Sequence, residues 1–143
     1  MKSFNWILAV VLLGLFFSGC KKEEKTTLCG TWKMTSGKYV GPGFSRTLDE
    51  TNRISYKILS QNHFAVVEMY HDNPDSQFFS AFGTYIFNDS SYTEHYEACN
   101  IPSKVGQSLK FKSKVENGKW NIQLKNEGME LDETWICVNR PGE

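Results

Sequence analysis

The amino-acid sequence predicts an all-β protein, folded as an eight-stranded antiparallel up-and-down β-barrel. Apolar and polar residues alternate with a period of two along eight successive runs, and short turns rich in Gly, Asn, Asp and Ser separate most of them. No long amphipathic helical pattern occurs after Cys20. Eight strands joined in sequence remove their two exposed edges by closing into a barrel. A sandwich of two sheets is the structural alternative, because the pattern does not show closure.

The predicted strands continue almost to the end of the chain. They cover residues 30–40, 53–59, 63–70, 78–87, 92–98, 107–115, 119–125 and 131–138. The turn after the sixth strand contains Asn117-Gly118, a pair that type I′ hairpins favour because both central residues need positive φ. Only the connections 41–52 and 99–106 are longer, and each has room for one helical turn. Lysines alternate with apolar residues in the sixth strand, which assigns Phe111 to the interior.

Composition limits the function classes. The 143 residues carry 16 basic and 16 acidic side chains, so the chain has no excess of positive charge to attract nucleic acid. Aromatic residues form 14% of the chain, which excludes a disordered protein. After the first 20 residues no apolar run approaches the length of a membrane helix. We therefore predict one globular domain, residues 28–143.

The first residues have the pattern of a signal peptide. Lys2 precedes a run of apolar residues, 4–17, that is shorter than a membrane span and ends in Ser18-Gly19-Cys20. This ending resembles the lipobox of bacterial lipoproteins, although Phe17 stands where that family usually has Leu. The resemblance implies that residues 1–19 are removed and that Cys20 receives a diacylglyceryl group and a further acyl chain. An ordinary secretory signal with an incidental cysteine is the alternative.

The segment after the lipobox predicts a location in the cell envelope. Residues 20–27 are charged or polar after the cysteine, so we predict a flexible tether. Residues 20–24 resemble an export signal that sends lipoproteins to the cell surface in one group of Gram-negative bacteria. Lys21 also differs from the Asp associated with retention in the inner membrane. The resemblance implies an outer-membrane lipoprotein exposed at the surface, and a solvated linker is the alternative.

Motifs in the domain resemble those of a known family. Gly30-Thr31-Trp32 is similar to the Gly-x-Trp opening of lipocalins. Four further segments occur in the same order in the lipocalin-like domains of Bacteroidetes-type surface lipoproteins: Gly83-Thr84-Tyr85, Ser91-Tyr92-Thr93-Glu94, Gly118-Lys119-Trp120 and Glu133-Thr134-Trp135. The resemblance spans residues 28–138 and implies a calycin-like barrel with a cavity. Cys137 departs from the family, where an Arg that packs over the first-strand Trp is expected, and Arg140 follows it.

Three glutamates lie between apolar residues on the inferred inward faces. They are Glu68, Glu94 and Glu133. A carboxylate inside a barrel is unfavourable unless it is paired, so we predict that polar groups orient a ligand in an otherwise apolar cavity. The candidate lining residues are Trp32, Met34, Tyr56, Phe64, Glu68, Tyr92, Glu94, Tyr96, Phe111, Trp120, Glu133 and Trp135. The alternatives are an inverted strand face or a closed core in which hydroxyl groups and water satisfy the carboxylates.

No pattern indicates a metal site or an enzyme. His63, His71 and His95 fall on different elements without ligand spacing, so we predict surface or turn histidines and no metal. No nucleophile elbow or other catalytic signature is present, which predicts neither catalysis nor a cofactor. Glu68 and Glu94 as the acid and base of a hydrolase are the remaining catalytic alternative.

Three cysteines follow the lipobox. In a closed barrel the first and last strands are neighbours, so we predict a Cys29–Cys137 disulfide that leaves Cys99 free. Three free thiols are the alternative.

Together these predictions describe a lipid-anchored lipoprotein of the outer membrane whose barrel binds a small, partly apolar ligand without catalysis. The expected partners are the membrane and that ligand, and nucleic acid is excluded. A surface module for protein or glycan binding is the alternative, with a solidly packed barrel that acts through loops 41–52 and 99–106.

Overall fold

A computed structural model describes residues 27–71, 78–140 and 142. The predicted signal peptide, Cys20 and nearly all of the predicted tether therefore lie outside the described residues. The strands within these ranges are β1 (Gly30–Gly41), β2 (Phe44–Asp49), β3 (Arg53–Leu59), β4 (His63–Tyr70), β5 (Phe79–Asn88), β6 (Ser91–Cys99), β7 (Ser108–Glu116), β8 (Lys119–Asn126) and β9 (Met129–Asn139). Within the same ranges, no helix is long and apolar enough to span a membrane.

Eight of these strands form a closed antiparallel barrel. Strands β3 to β9 pair in sequence order, β1 pairs with β3, and β9 pairs back onto β1. At this seam Trp32 lies opposite Cys137, and Tyr39 lies opposite Leu131. The predicted eight-stranded up-and-down barrel is confirmed. Because the ring of pairings closes within residues 30–139, the domain that begins at Thr27 contains the complete sheet.

Strand β2 was not predicted. Its residues pair with the second half of β1, whereas β3 pairs with the first half, so β2 and β3 follow one another along the same edge of β1. The prediction of a plain connection over 41–52 is therefore wrong for Phe44–Asp49. Only Leu48 in this strand is buried, so the segment lacks the apolar alternation that marks a strand. The other long connection contains a 3₁₀ helix, Pro102–Lys104, as its length allowed.

Glycines set two features of the sheet. Asn117 and Gly118 both have positive φ, 52° and 74°, as a type I′ turn between β7 and β8 requires. Gly83 lies at an irregularity in the β5–β6 pairing. A Cβ atom at this position would collide with the backbone carbonyl of His95, so the close approach of these strands requires glycine.

One end of the barrel is closed by packed side chains. Leu28, just before β1, is buried, and its carbonyl oxygen accepts a 2.8 Å hydrogen bond from Nε1 of Trp32. The rings of Trp32 and Trp120 meet edge to face with centroids 5.4 Å apart, and those of Tyr92 and Trp120 are 4.9 Å apart. Trp135 extends this cluster. These contacts fill the barrel at the end where β1 begins and β9 ends.

The cysteines of the described residues are free thiols, so the predicted Cys29–Cys137 disulfide is wrong. The seam places Trp32 opposite Cys137, and Cys29 lies before β1 begins. The Cys137 thiol donates to the carbonyl oxygen of Asn139. The seam is closed by strand pairing without a covalent link.

Candidate functional site

The end of the barrel opposite the packed cluster opens into a cavity of about 1120 Å³. Its walls include the apolar side chains of Val66, Phe79, Leu109, Phe111 and Leu131. Residues from the β6–β7 connection and from the end of β4 line its mouth. A concave site of this size, with apolar walls and a few polar groups, is typical of small-molecule binding.

The inward face of β3 carries charge. Arg53, Ser55 and Lys57 are buried, whereas Ile54, Tyr56 and Ile58 point outward. The assignment of Tyr56 to the cavity is therefore wrong, since its side chain is 39% exposed on the outer surface. Strand pairing is the cause. Ser55 lies opposite Glu68 and Lys57 opposite Val66, and residues directly opposite each other share a face.

Arg53 and Glu68 form a buried ion pair at the cavity. Nη2 of Arg53 contacts the Glu68 carboxylate, which also accepts a 3.2 Å hydrogen bond from the Ser55 hydroxyl. The guanidinium lies 5.0 and 5.2 Å from the ring centroids of Tyr39 and Tyr70, a cation–π arrangement. Nε and Nη1 of Arg53 have no acceptor among the described residues. Arg53 therefore has one nitrogen paired with an acceptor, Nη2, and two nitrogens without one.

Lys57 and Glu94 form a second buried ion pair, deeper in the barrel. Nζ of Lys57 lies 2.6 Å from one oxygen of Glu94, and the Tyr96 hydroxyl donates to the other oxygen at 2.8 Å. Three ring centroids lie 5.0–5.4 Å from the same ammonium group, those of Trp135, Tyr92 and Trp120. Lys57 therefore marks the boundary between the packed aromatic cluster and the cavity.

Glu133 is buried without a cation. Its carboxylate accepts hydrogen bonds from the Tyr39 hydroxyl and, at 2.9 Å, from Nε1 of Trp135. No ion pair joins it to any basic side chain of the described residues. Burial and the negative charge of Glu133 raise the pKa of Tyr39 well above its ordinary value, while Arg53 acts in the opposite direction. Tyr39 therefore contacts the Glu133 carboxylate through its hydroxyl and the Arg53 guanidinium through its ring.

The interior has an excess of negative charge. Among the residues that the structure describes, the buried acidic side chains are Glu68, Glu94 and Glu133, and the buried basic side chains are Arg53 and Lys57. Burial, and next the charge of Glu94, raise the pKa values of the neighbouring Tyr92 and Tyr96 hydroxyls, which stay neutral at physiological pH. The site therefore contains two ion pairs, Arg53–Glu68 and Lys57–Glu94, together with Glu133, which has no ion-pair partner among the described residues.

The predicted lining residues divide between two regions. Five lie on the cavity wall, namely Glu68, Glu94, Tyr96, Phe111 and Glu133. Six others are buried inside the barrel but do not line the cavity: Trp32, Met34, Phe64, Tyr92, Trp120 and Trp135. The sequence analysis missed Arg53, Lys57, Tyr39 and Tyr70. The three-residue turn between β3 and β4 was the signal for the two cations. It sets the register in which Arg53 lies opposite Tyr70 and Lys57 opposite Val66, so both side chains share the inward face of Glu68.

His71 lies at the mouth of the cavity, and the other two histidines contact neighbouring side chains. His63 lies 2.8 Å from the Asn62 side-chain oxygen and stacks on Phe82, and His95 lies 3.0 Å from the Ser108 hydroxyl. Within residues 27–71 and 78–140, no three His, Cys, Asp or Glu side chains are grouped to hold a metal ion.

The fold and the site define a closed antiparallel β-barrel with an open, charged cavity at one end. No family model, curated protein or solved structure matches the chain.

Proposed function

We propose that this protein binds a small, partly apolar molecule in the barrel cavity without transforming it. The observation that carries the proposal is the open cavity, whose apolar wall ends at a few buried polar groups. Burial of a ligand's apolar surface against Val66, Leu109 and Leu131 drives binding by about 25 cal/mol per Å². The charged residues then fix its orientation.

The ion pairs favour binding over catalysis. Glu68 and Glu94, the pair considered for acid–base chemistry, each form an ion pair with a basic side chain of strand β3. Such carboxylates are held in place by partners inside the protein. This arrangement supports a recognition site more readily than a hydrolytic one.

Native mass spectrometry of the domain from Thr27 onward tests the proposal. After incubation with a lipid and metabolite extract, we expect an extra mass that disappears under denaturing conditions. Leu109→Trp, which fills the cavity, should abolish the extra mass, whereas the matched outer-surface change Ile86→Trp should not. A bare protein after incubation would contradict the proposal.

We propose that the barrel is held in the outer membrane by lipid at Cys20, after removal of residues 1–19, with a tether over residues 20–27. The Ser-Gly-Cys ending of the apolar run and the charged residues after it support this proposal. Two acyl signals on one cysteine anchor a protein firmly. Cys20→Ala in the full chain should move the protein from the membrane to the soluble envelope fraction. Cys29→Ala is the matched control and should leave it in the membrane.

A second candidate function is recognition of another protein. It is favoured by an apolar outer surface on β3, β4 and β5, formed by Ile54, Tyr56, Ile58, Val67, Met69, Phe82 and Ile86. The strand pairing makes this surface continuous, because Tyr56 lies opposite Val67 and Ala65 opposite Phe82. Large exposed apolar surfaces often mark interfaces. Val67→Lys should then abolish capture of the partner while ligand binding in the cavity is unchanged.

A further inference from the structure

Arg53 has donor groups that the protein does not satisfy. The side chain is 2% exposed and lines the cavity, and Nη2 is paired with Glu68. Nε and Nη1 have no acceptor among the described residues. A buried N–H without an acceptor is destabilising, so this position favours a ligand that brings an acceptor oxygen.

Glu133 presents the opposite requirement. The carboxylate is 4% exposed, lines the same cavity and forms no ion pair with a basic side chain of the residues that the structure describes. Each of its oxygens accepts one hydrogen bond, from Tyr39 and from Trp135. An ionised carboxylate has about four acceptor positions, so it has capacity left for a donor on the ligand.

Tyr39 contacts both of these groups. Its hydroxyl donates to Glu133, and the Arg53 guanidinium lies 5.0 Å from the centroid of its ring. A ligand that reaches Arg53 with an acceptor therefore has Glu133 close by for an adjacent N–H or O–H.

The charge of the interior decides between ionised and neutral ligands. Among the described residues, three buried carboxylates face two buried cations, and the other basic lining residues, Lys104 and His71, are not buried and belong to the segments at the mouth. A ligand carboxylate placed between Arg53 and Glu133 would therefore add to a negative excess. A ligand ammonium would pair with Glu133 but would leave the free donors of Arg53 without an acceptor and would add a cation beside the guanidinium. A neutral group with an acceptor and a donor avoids both costs and the loss of hydration that any ion suffers on burial.

We infer that the cavity selects an uncharged amphiphile whose polar end joins an acceptor to a donor, as a primary carboxamide does. The inference rests on the proposed ligand-binding function and names its ligand class. The carbonyl oxygen accepts from Arg53, the amide N–H donates to Glu133, and the apolar part lies along Leu109, Phe111 and Leu131.

Three ligands with the same alkyl chain test the inference on the domain from Thr27 onward: decanamide, decanoic acid and decylamine. Trp32, Trp120 and Trp135 are the tryptophans of this domain, and all are buried in the barrel, so their fluorescence reports on its interior. Calorimetric titration provides a second measurement. At pH 7.5 we expect decanamide to bind at least tenfold more tightly than either charged ligand.

A double variant tests the role of Arg53. Arg53→Met alone would leave Glu68 unpaired and risks unfolding the domain, so it is combined with Glu68→Gln, which preserves the net charge of the interior. We expect the affinity for decanamide to fall at least fivefold. Lys119→Met, an exposed change far from the cavity, is the control and should have no effect. If the double variant does not fold, the comparison of the three ligands on the unmodified domain decides.

The outcomes separate the two proposals. If none of the three ligands binds while the extract still gives an extra mass, the binding function stands and the inferred ligand class is wrong. If the extract also leaves the protein bare, both proposals are overturned. If decanoic acid or decylamine binds as tightly as decanamide, the binding function stands and the ligand class is wrong. Full affinity of the folded double variant for decanamide would also overturn the inference, because it would remove Arg53 from recognition.

Discussion

The two ends of the barrel are built from the same strands but have different interiors. At the closed end the large rings of Trp32, Tyr92 and Trp120 meet within 4.9–5.4 Å and leave no room for a ligand. At the open end the inward positions hold charged side chains such as Arg53 and Glu68 around a cavity of about 1120 Å³. Strand alternation alone does not decide whether a barrel is filled, because the size and charge of the inward side chains do.

The two ends of the barrel also contribute differently to the stability of the fold and to ligand recognition. Burial of aromatic rings stabilises the fold directly, and each ring contributes by its large buried area. A buried ion pair gives little net stability, because desolvation offsets much of the attraction. The closed end is thus the source of stability, and the charges of the open end are better explained by ligand recognition.

Alkaline pH should lower the free energy of unfolding through tyrosines at both ends of the barrel, and this is the largest effect that we expect. Burial raises the pKa of Tyr85 to about 12 and also raises the pKa values of Tyr39, Tyr92 and Tyr96. Because the folded-state values lie above the unfolded value of about 10, their stabilising contribution is complete below pH 10 and is lost as pH rises towards the folded values. The loss is about 1.4 kcal/mol per tyrosine for each pH unit in that window.

Denaturant unfolding at pH 8 and pH 11 measures this loss, and absorbance at 295 nm reports tyrosine ionisation. At pH 11 the folded domain should show clearly less tyrosinate absorbance than the unfolded chain. Equal absorbance in the two states would show that these hydroxyls are not protected.

Trp120→Ala removes one ring of the aromatic cluster at the closed end. The ring is fully buried and contacts both Trp32 and Tyr92, so its removal should cost about 3–5 kcal/mol of unfolding free energy through lost burial and a new cavity. Urea denaturation gives the value. Ile86→Ala, at a side chain that is 73% exposed, should change the stability by less than about 0.5 kcal/mol. Similar costs for the two variants would mean that the aromatic cluster is not the stable part of the barrel.

Glu94→Gln removes the Lys57–Glu94 ion pair, which lies between the closed end and the cavity. It leaves Lys57 charged and unpaired beneath the cavity, which should cost about 3 kcal/mol. Removal of both charges with Lys57→Met and Glu94→Gln should restore part of that loss, because no buried ion then lacks a partner. A double variant less stable than Glu94→Gln alone would show that Lys57 stabilises the fold by other contacts.

Glu133→Gln is expected to have the smallest effect on stability. The carboxylate has two hydrogen bonds but no cation, so the loss should be about 1–2 kcal/mol. The same change removes the negative excess of the interior. Decanoic acid should therefore bind more tightly to Glu133→Gln than to the unmodified domain in calorimetric titration, and an unchanged affinity would contradict the role given to this charge.

The barrel itself was predictable from local pattern and turn chemistry. Strand alternation identified the eight strands of the ring, and Asn117-Gly118 has the positive φ values of the predicted turn. Strand β2 was not predictable in the same way, since its side chains are almost all exposed and only pairing with β1 makes it a strand.

The site was less predictable because apolar residues also occur on the outer surface. In β3 the apolar set Ile54, Tyr56 and Ile58 resembles a core face, yet it points to solvent, and Arg53 and Lys57 occupy the interior. A pattern of hydrophobicity cannot recognise buried cations that are stabilised by partners on other strands. Register with β4 can do so, because an inward Glu68 requires its opposite residue to point inward as well.

The position of Leu28 has a consequence for how a ligand arrives. The described chain enters at the closed end, where Leu28 is bonded to Trp32, and the cavity opens at the other end. With a lipid on Cys20, the sealed base of the barrel would sit beside the bilayer and its entrance would face the surrounding water. A ligand would then have to reach the entrance through water. The rate of binding would therefore depend on the aqueous solubility of the ligand rather than on its lateral diffusion in the membrane.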